Sequence, residues 1–109
     1  MKSKHIDEMV LNQKLRERIE TIKSLIVEEI DPKKVVLFGS TVKKHKKRGY
    51  DIDIFVQIDR IERRRKRVLK ELIDESSGIY TVDLLFSCDL SEEFKDIIKE
   101  KGVVLYEKG

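Results

Sequence analysis

One stretch of the chain repeats apolar residues at the spacing of an amphipathic helix, with charged residues between them. The steps of four, four, three and four place one apolar stripe along a single helix face. The stripe consists of Leu11, Leu15, Ile19, Ile22 and Ile26. Asp31 and Pro32 end this helix, because a proline disfavours the helical conformation in the residue before it. We expect residues 1–7, which show no periodicity, to form a frayed tail.

A second helix is predicted after residue 58. Asp59 and Glu62 have the spacing of a capping box, in which the two side chains bond to backbone N–H groups at the helix start. The apolar positions that follow are expected to form the buried stripe. They are Ile61, Val68, Leu69, Leu72 and Ile73.

A third helix is predicted near the end of the chain. Asp89 or Ser91 caps its start, and Gly102 ends it in a left-handed cap, which glycine adopts most easily. Its apolar positions, expected to pack inward, are Phe94, Ile97 and Ile98.

Four short apolar or alternating runs have the composition of β-strands. They cover residues 35–38, 51–58, 79–86 and 103–106, and we expect the last to lie at a sheet edge. With a further helix start after Ser40, strands and helices alternate, which predicts an α/β fold with helices packed over one sheet. The 109 residues suffice for a single domain, residues 1–109.

Composition and the length of the apolar runs indicate where in the cell the protein is located. Charged residues make up 41% of the chain, but the net charge is only +3, so the surface mixes both signs. No apolar run approaches the length of a membrane span, and the first residues lack the apolar core of a signal peptide. Cys88 is the one cysteine, which excludes an internal disulfide framework. We therefore expect a cytoplasmic protein without membrane contact.

Two neighbouring runs carry the candidate chemistry. Gly39 and Ser40 follow a buried strand, where backbone N–H groups and the serine hydroxyl can contact a phosphate. After ten further residues, Asp51 and Asp53 alternate with isoleucines, so both carboxylates share one strand face about 6.5 Å apart. They could reach one metal ion or two. An Asp-x-Asp alone is more simply an ordinary strand with a wet face, but its combination with Gly39-Ser40 favours a site.

These residues resemble the signature of the DNA polymerase β-like nucleotidyltransferase superfamily. The short chain is most similar to the minimal nucleotidyltransferases, many of which are antitoxins paired with a HEPN-domain toxin. The resemblance implies a mixed sheet and binding of ATP or another nucleoside triphosphate. It also implies Mg²⁺, as two ions, held by Asp51 and Asp53, with the β- and γ-phosphates at Gly39-Ser40.

Two further residues are candidates for the same site. Asp83 interrupts an apolar run, and a buried carboxylate requires a partner or a metal. If its strand lies beside the Asp51/Asp53 strand, Asp83 joins the acidic face as the third metal ligand or as general base; otherwise it is a solvent-facing strand residue. Lys43, in the basic run 43–48, is the candidate cation for the triphosphate, although this run is equally typical of a solvated loop. Many family members have arginine at the position of Lys43.

The resemblance implies a Mg²⁺-dependent antitoxin that transfers AMP from ATP to a tyrosine of a HEPN toxin. The chain is too short for a separate acceptor-binding domain, so a partner or a second copy must supply the acceptor. Two alternatives stay open: an inactive antitoxin that acts by binding alone, and a subunit that modifies nucleic acid. The basic run 60–67 is consistent with a solvated helix face, or with docking to an acidic partner or to RNA phosphates.

Overall fold

The computed structural model describes residues 13–38 and 51–109. Within them lie three α-helices, four strands and one 3₁₀ turn. The helices are α1 (Gln13–Ile30), α2 (Arg63–Ser76) and α3 (Glu92–Lys101), and the 3₁₀ turn is Ser87–Asp89. The strands are β1 (Lys34–Phe38), β2 (Asp51–Gln57), β3 (Thr81–Phe86) and β4 (Val103–Glu107). The tail predicted for residues 1–7 and the helix start predicted after Ser40 lie outside the described residues.

The four strands form one mixed sheet in the order β3-β2-β1-β4. β1 pairs antiparallel with both β2 and β4, and β2 pairs parallel with β3. The predicted α/β class with a mixed sheet is confirmed, and β4 lies at an edge as expected. No helix in the described part of the chain is long and apolar enough to cross a membrane.

The sheet has two unlike faces, because side chains alternate along each strand. The face that we call the α1/α2 face is covered by both long helices and holds the main core. The opposite α3 face has a smaller cluster of Val36, Phe55 and Ile98, with Phe38 and Leu90 packed against it. Strand residues in the main core are Val35, Leu37, Ile52, Ile54, Val56, Val82, Leu84 and Phe86.

The predicted stripe of the first helix is confirmed over its described part. Leu15, Ile19, Ile22 and Ile26 are buried, whereas Leu11 lies outside the described residues. The helix ends at Ile30, and Asp31 adopts a left-handed conformation with φ 47°, its N–H donating to the carbonyl of Val27 at 3.1 Å.

The predicted start of the second helix is wrong. Glu62, not Asp59, occupies the N-cap position of α2, and it makes no side-chain capping bond. The Asp59 carboxylate instead pairs with Lys33, whose Nζ lies 3.1 Å from Oδ2. The buried stripe is also narrower than predicted: Leu69 and Ile73 are buried, but Val68 is 42% exposed.

The predicted start and end of the third helix are confirmed, but the predicted conformation of its C-cap glycine is wrong. Ser91 caps α3, its Oγ accepting from the N–H of Phe94 at 3.2 Å. Gly102 ends the helix, but its backbone is extended (φ −88°, ψ 170°) and not left-handed. Glycine is required there by space, because a Cβ would lie 2.3 Å from Val36 Cγ1.

Only one of the three apolar positions on α3 packs fully inward. Ile98 is 2% exposed, whereas Phe94 is 37% and Ile97 51% exposed. Consecutive helix residues point about 100° apart, so Ile97 and Ile98 cannot both face the sheet. Ile98 lies at the centre of the contact between α3 and the sheet, and Phe94 lies at the margin of that contact.

The third strand is shorter than predicted, since it begins at Thr81 and not at residue 79. Ile79 is 71% exposed and belongs to the turn before the strand. Gly78 has φ +65° in that turn, and the N–H of Tyr80 donates to the carbonyl of Ser77 at 3.1 Å.

Candidate active site

The first residues of β2 place acidic groups on the α3 face of the sheet. Ile52 and Ile54 are fully buried on the α1/α2 face, so the alternating residues Asp51 and Asp53 lie on the other face. Asp51 is exposed and Asp53 is half-buried. Further along the same face, Phe55 is completely buried. On this face, β2 therefore passes from exposed and half-buried aspartates at its start to a buried phenylalanine two residues later.

A third carboxylate lies on the neighbouring strand. β2 and β3 are parallel, and their register aligns Asp53 with Asp83 and Asp51 with Thr81. Aligned residues of parallel strands project from the same face, and neighbouring strands are about 4.8 Å apart. The structure thus places Asp51, Asp53 and Asp83 together on one end of the α3 face. Their catalytic and metal-binding roles stay predictions.

Asp83 is exposed, so the cost of a buried carboxylate does not apply to it, and the alternative of a solvent-facing strand residue describes its burial. β3 is an edge strand, and its alternate residues Val82, Leu84 and Phe86 carry the burial instead. The Asp83 carboxylate therefore needs no partner to compensate for burial. Its location opposite Asp53, and not its desolvation, makes it a candidate.

The end of β1 lies beside the acidic residues. Phe38, the last residue of β1, is the register partner of Asp53. Gly39 follows it directly in the chain, which is consistent with a phosphate-binding turn next to the carboxylates. Gly39, Ser40 and Lys43 themselves lie outside the described residues, so their predicted phosphate contacts stay predictions.

The oxygen ligands at this site suit a magnesium ion whose remaining ligands come from a substrate. Across residues 13–38 and 51–109, no three His, Cys, Asp or Glu side chains converge closely enough to hold a metal ion by themselves. Mg²⁺ is usually bound by one or two carboxylates together with substrate phosphates and water, and seldom by a cage of protein ligands alone. Asp53 and Asp83, which are aligned on neighbouring strands, and Asp51 beside them can supply such carboxylates, so the residues present fit Mg²⁺.

At the opposite end of β2, a buried serine forms hydrogen bonds with the backbone that follows the strand, a role that its position in the sequence does not predict. Ser87 is buried, and its Oγ accepts from the N–H of Ile58 and donates to the carbonyl of Ile58, both at 2.9 Å. Beside it, Lys66 pairs with Asp89 at 2.6 Å. The polar groups at this end of β2 are therefore paired with one another. A serine directly after an apolar strand is too common a pattern to predict this.

Residues 20–109 match the family described as "Polymerase beta, Nucleotidyltransferase". This chain belongs to that family. It is also similar to the probable protein adenylyltransferase MntA of Haemophilus influenzae, with 33% identity over 96 residues. The alignment covers 84% of this chain and 82% of that protein.

The family match includes all four strands and both helices that follow β2, so it covers the sheet that carries the acidic end. The chain is therefore a nucleotidyltransferase with the polymerase β-like fold, and a nucleotide is its substrate. The resemblance to the minimal nucleotidyltransferases is confirmed.

Proposed function

We propose that this nucleotidyltransferase is a Mg²⁺-dependent protein adenylyltransferase. It transfers AMP from ATP to a tyrosine hydroxyl of a partner HEPN toxin, and thereby acts as the antitoxin in the cytoplasm. The observation that carries the proposal is the alignment of Asp53 with Asp83 on parallel strands. The name of the similar H. influenzae protein supports protein as the acceptor.

In this proposal the three aspartates have two different roles, metal binding and proton transfer. Asp51 and Asp53 hold Mg²⁺, which neutralises phosphate charge and lowers the pKa of the attacking hydroxyl. Asp83 takes the proton of that hydroxyl as general base. Gly39 and Ser40 bind the β- and γ-phosphates, and Lys43 neutralises their charge.

The reaction is a single displacement at the α-phosphorus. The tyrosine oxygen forms a bond to this phosphorus, the bond to the bridging oxygen breaks, and pyrophosphate leaves. Asp83 keeps the proton until solvent removes it. Catalysis of this kind depends on positioning and charge neutralisation, so each carboxylate is expected to have a large effect.

The exposure of the acidic end supports a macromolecular acceptor. Asp83 is exposed on an edge strand, and α3 covers the α3 face around Val36 and Phe55, further along the sheet. A tyrosine on the surface of another protein can approach from this side.

The test is transfer of label from α-labelled ATP, with Mg²⁺, to the protein that co-purifies with this chain. We expect label on the partner with wild type and none with Asp51→Asn/Asp53→Asn. The matched control is Asp59→Asn, the same change at the other end of β2, which should transfer normally. Mass spectrometry of the labelled partner identifies the modified residue.

Two results would replace the proposal. A stable complex in which neither wild type nor variant transfers label would show an antitoxin that acts by binding alone. Label on co-purifying RNA and not on protein would show a nucleic-acid-modifying subunit.

A further inference from the structure

The exposed side of α2 carries its charges in the reverse of the order that stabilises a helix. Its first turn contains no acidic residue and its last turn no basic residue. The basic residues Arg63, Arg64, Arg65, Lys66 and Arg67 fill the N-terminal half, and the C-terminal half contains the acidic residues Glu71, Asp74 and Glu75 after one lysine, Lys70. Because the helix dipole is positive at the N-terminus, both groups destabilise an isolated helix.

Two of these basic side chains have partners within the same chain. Lys66 pairs with Asp89, and Arg65 donates from Nη1 to the carbonyl of Glu29 at 2.8 Å. Seven other charged side chains of α2 are exposed, and four of them lie on one side of the helix: Arg64, Arg67, Glu71 and Glu75. In the part of the chain that the structure describes, none of these four forms a salt bridge.

The four charges and one apolar side chain lie along one side of the helix. Steps of three and four residues join Arg64, Arg67 or Val68, Glu71 and Glu75, which is the spacing of a single helix face. Val68, 42% exposed, lies near the middle. We call these five residues the α2 outer strip. It is basic at one end, apolar at the centre and acidic at the other end.

We propose that the α2 outer strip binds the same strip of a second copy of this chain, with the two helices antiparallel. A two-fold axis near the helix centre places Arg64 of one copy opposite Glu75 of the other and brings Arg67 close to Glu71. The Val68 side chains meet at the centre, within about one helical turn of each other. Such an isologous contact satisfies both charged halves of both helices at once.

The charge distribution favours a second copy over other partners. Glu71 and Glu75 would repel the phosphates of RNA, and the strip offers no aromatic side chain on which bases could stack. An unrelated acidic protein would match only the basic half. Antiparallel pairing also brings the negative end of each helix dipole to the positive end of the other.

The residue type supports a specific contact. Five of the eight arginines in the chain lie within residues 60–67, although lysine is the commoner basic residue overall. The guanidinium group can bond to a carboxylate through two parallel N–H donors, whereas a lysine ammonium cannot. Arginine is therefore the better partner for a glutamate across an interface.

The proposed dimer leaves the active site open. α2 packs on the α1/α2 face, and Asp51, Asp53 and Asp83 lie on the opposite face of the sheet. Dimer formation and nucleotidyl transfer are thus separable, and the inference does not rest on the identity of the acceptor.

The experiment is sedimentation velocity of the full chain over a micromolar concentration series, at low and high salt. We expect a reversible dimer that weakens at high salt. Arg64→Glu and Glu75→Arg should each weaken self-association about tenfold or more, because each replaces two symmetry-related attractions by repulsions. Lys70→Glu, an exposed change on the other flank of α2, should sediment like wild type.

A charge swap makes the test decisive. An equimolar mixture of the Arg64→Glu and Glu75→Arg variants should form heterodimers, because every opposed pair then has opposite signs. The double variant Arg64→Glu/Glu75→Arg should regain self-association for the same reason. Thermal unfolding controls for folding: Arg64→Glu should be at least as stable as the wild-type monomer, since it removes a cation from the positive end of the helix.

Three outcomes would overturn the proposal. The wild-type chain could stay monomeric at the highest concentration and low salt. The swapped variants could fail to associate when the single variants are well folded. A fluorescent single-stranded RNA could bind the wild-type monomer and lose affinity in Arg64→Glu, which would assign the basic half to a polyanion.

Discussion

The two faces of the sheet are built by the same strands but differ in what covers them. The α1/α2 face is covered by two long helices, and the residues that β1, β2 and β3 contribute to its core are at most 9% exposed. The α3 face has one short helix over Val36 and Phe55, and it leaves the start of β2 and β3 to acidic residues. Alternation with a period of two therefore places the main core on one face and the candidate active site on the other.

Neighbouring residues of β2 show this division most sharply. Asp53 and Ile54 are adjacent in sequence, but Ile54 is completely buried among the helices and Asp53 lies opposite Asp83. Substitutions at the two positions should therefore have opposite signatures, one in activity and the other in stability.

The largest expected effect is that of Asp53→Asn on activity. We expect a loss of about a thousandfold in nucleotidyl transfer, because the change removes the negative charge of the proposed metal ligand while preserving the shape of its side chain. The free energy of unfolding should change by less than about 0.5 kcal/mol, as for other exposed or half-exposed sites. Parallel measurement of transfer rate and urea unfolding checks both parts, with Asp59→Asn as control.

Ile54→Ala is expected to have the complementary effect. Removing a buried branched side chain beneath two helices should lower the free energy of unfolding by about 3 to 4 kcal/mol. Transfer by the protein that remains folded should stay near the wild-type rate. A large loss of activity at temperatures where the variant is fully folded would contradict the separation of the two faces.

Gly102→Ala tests the close approach of α3 to the sheet and should have a smaller effect. A Cβ at this position lies 2.3 Å from Val36 Cγ1 and 2.8 Å from the carbonyl oxygen of Ile98, so backbone must shift. We expect a loss of about 1 to 3 kcal/mol in unfolding free energy, as for other overpacked sites. A double variant Gly102→Ala/Val36→Ala that is less destabilised than the sum of the two single variants would confirm the contact with Val36. An unchanged unfolding curve for Gly102→Ala would refute the close approach.

The smallest effect is a pH dependence at the edge of the molecule. The Asp31 carboxylate accepts a hydrogen bond from Lys108 and raises the pKa of that lysine above its ordinary value. The charged form is favoured by folding, so this stabilisation is present below the ordinary lysine pKa and is lost as pH rises through the folded value. Lys108→Met should therefore melt slightly below wild type at neutral pH, and the difference should vanish in strong alkali. Lys70→Met should show no such trend.

Periodicity was enough to predict most elements but not their contacts. The stripe from Leu15 to Ile26 and the strand before Gly39 follow from local spacing. The partner of Asp59 does not, because Lys33 is distant in sequence and competes for the same carboxylate. The exposure of Val68 likewise depends on how far α1 covers α2, which no local pattern encodes.

The candidate site could be predicted in its parts and not in its assembly. Asp51 and Asp53 share a face by alternation alone. That Asp83 lies opposite Asp53 depends on the strand order β3-β2-β1-β4, which no local pattern in the sequence determines. The extended conformation of Gly102 was missed because glycine at a helix end more often supplies a left-handed turn.

The most direct test of the central claim is to locate the metal–nucleotide complex on the sheet. Mn²⁺ with ATP can be titrated into isotopically labelled protein, and the paramagnetic broadening of each backbone amide signal followed. We predict that, within β2 and β3, the signals of Ile52, Asp53, Asp83 and Leu84 broaden first and those of Gln57 and Phe86 last. Asp53→Asn should abolish this pattern. Broadening centred on another part of the chain, or unchanged in Asp53→Asn, would contradict the assignment of the acidic end as the active site.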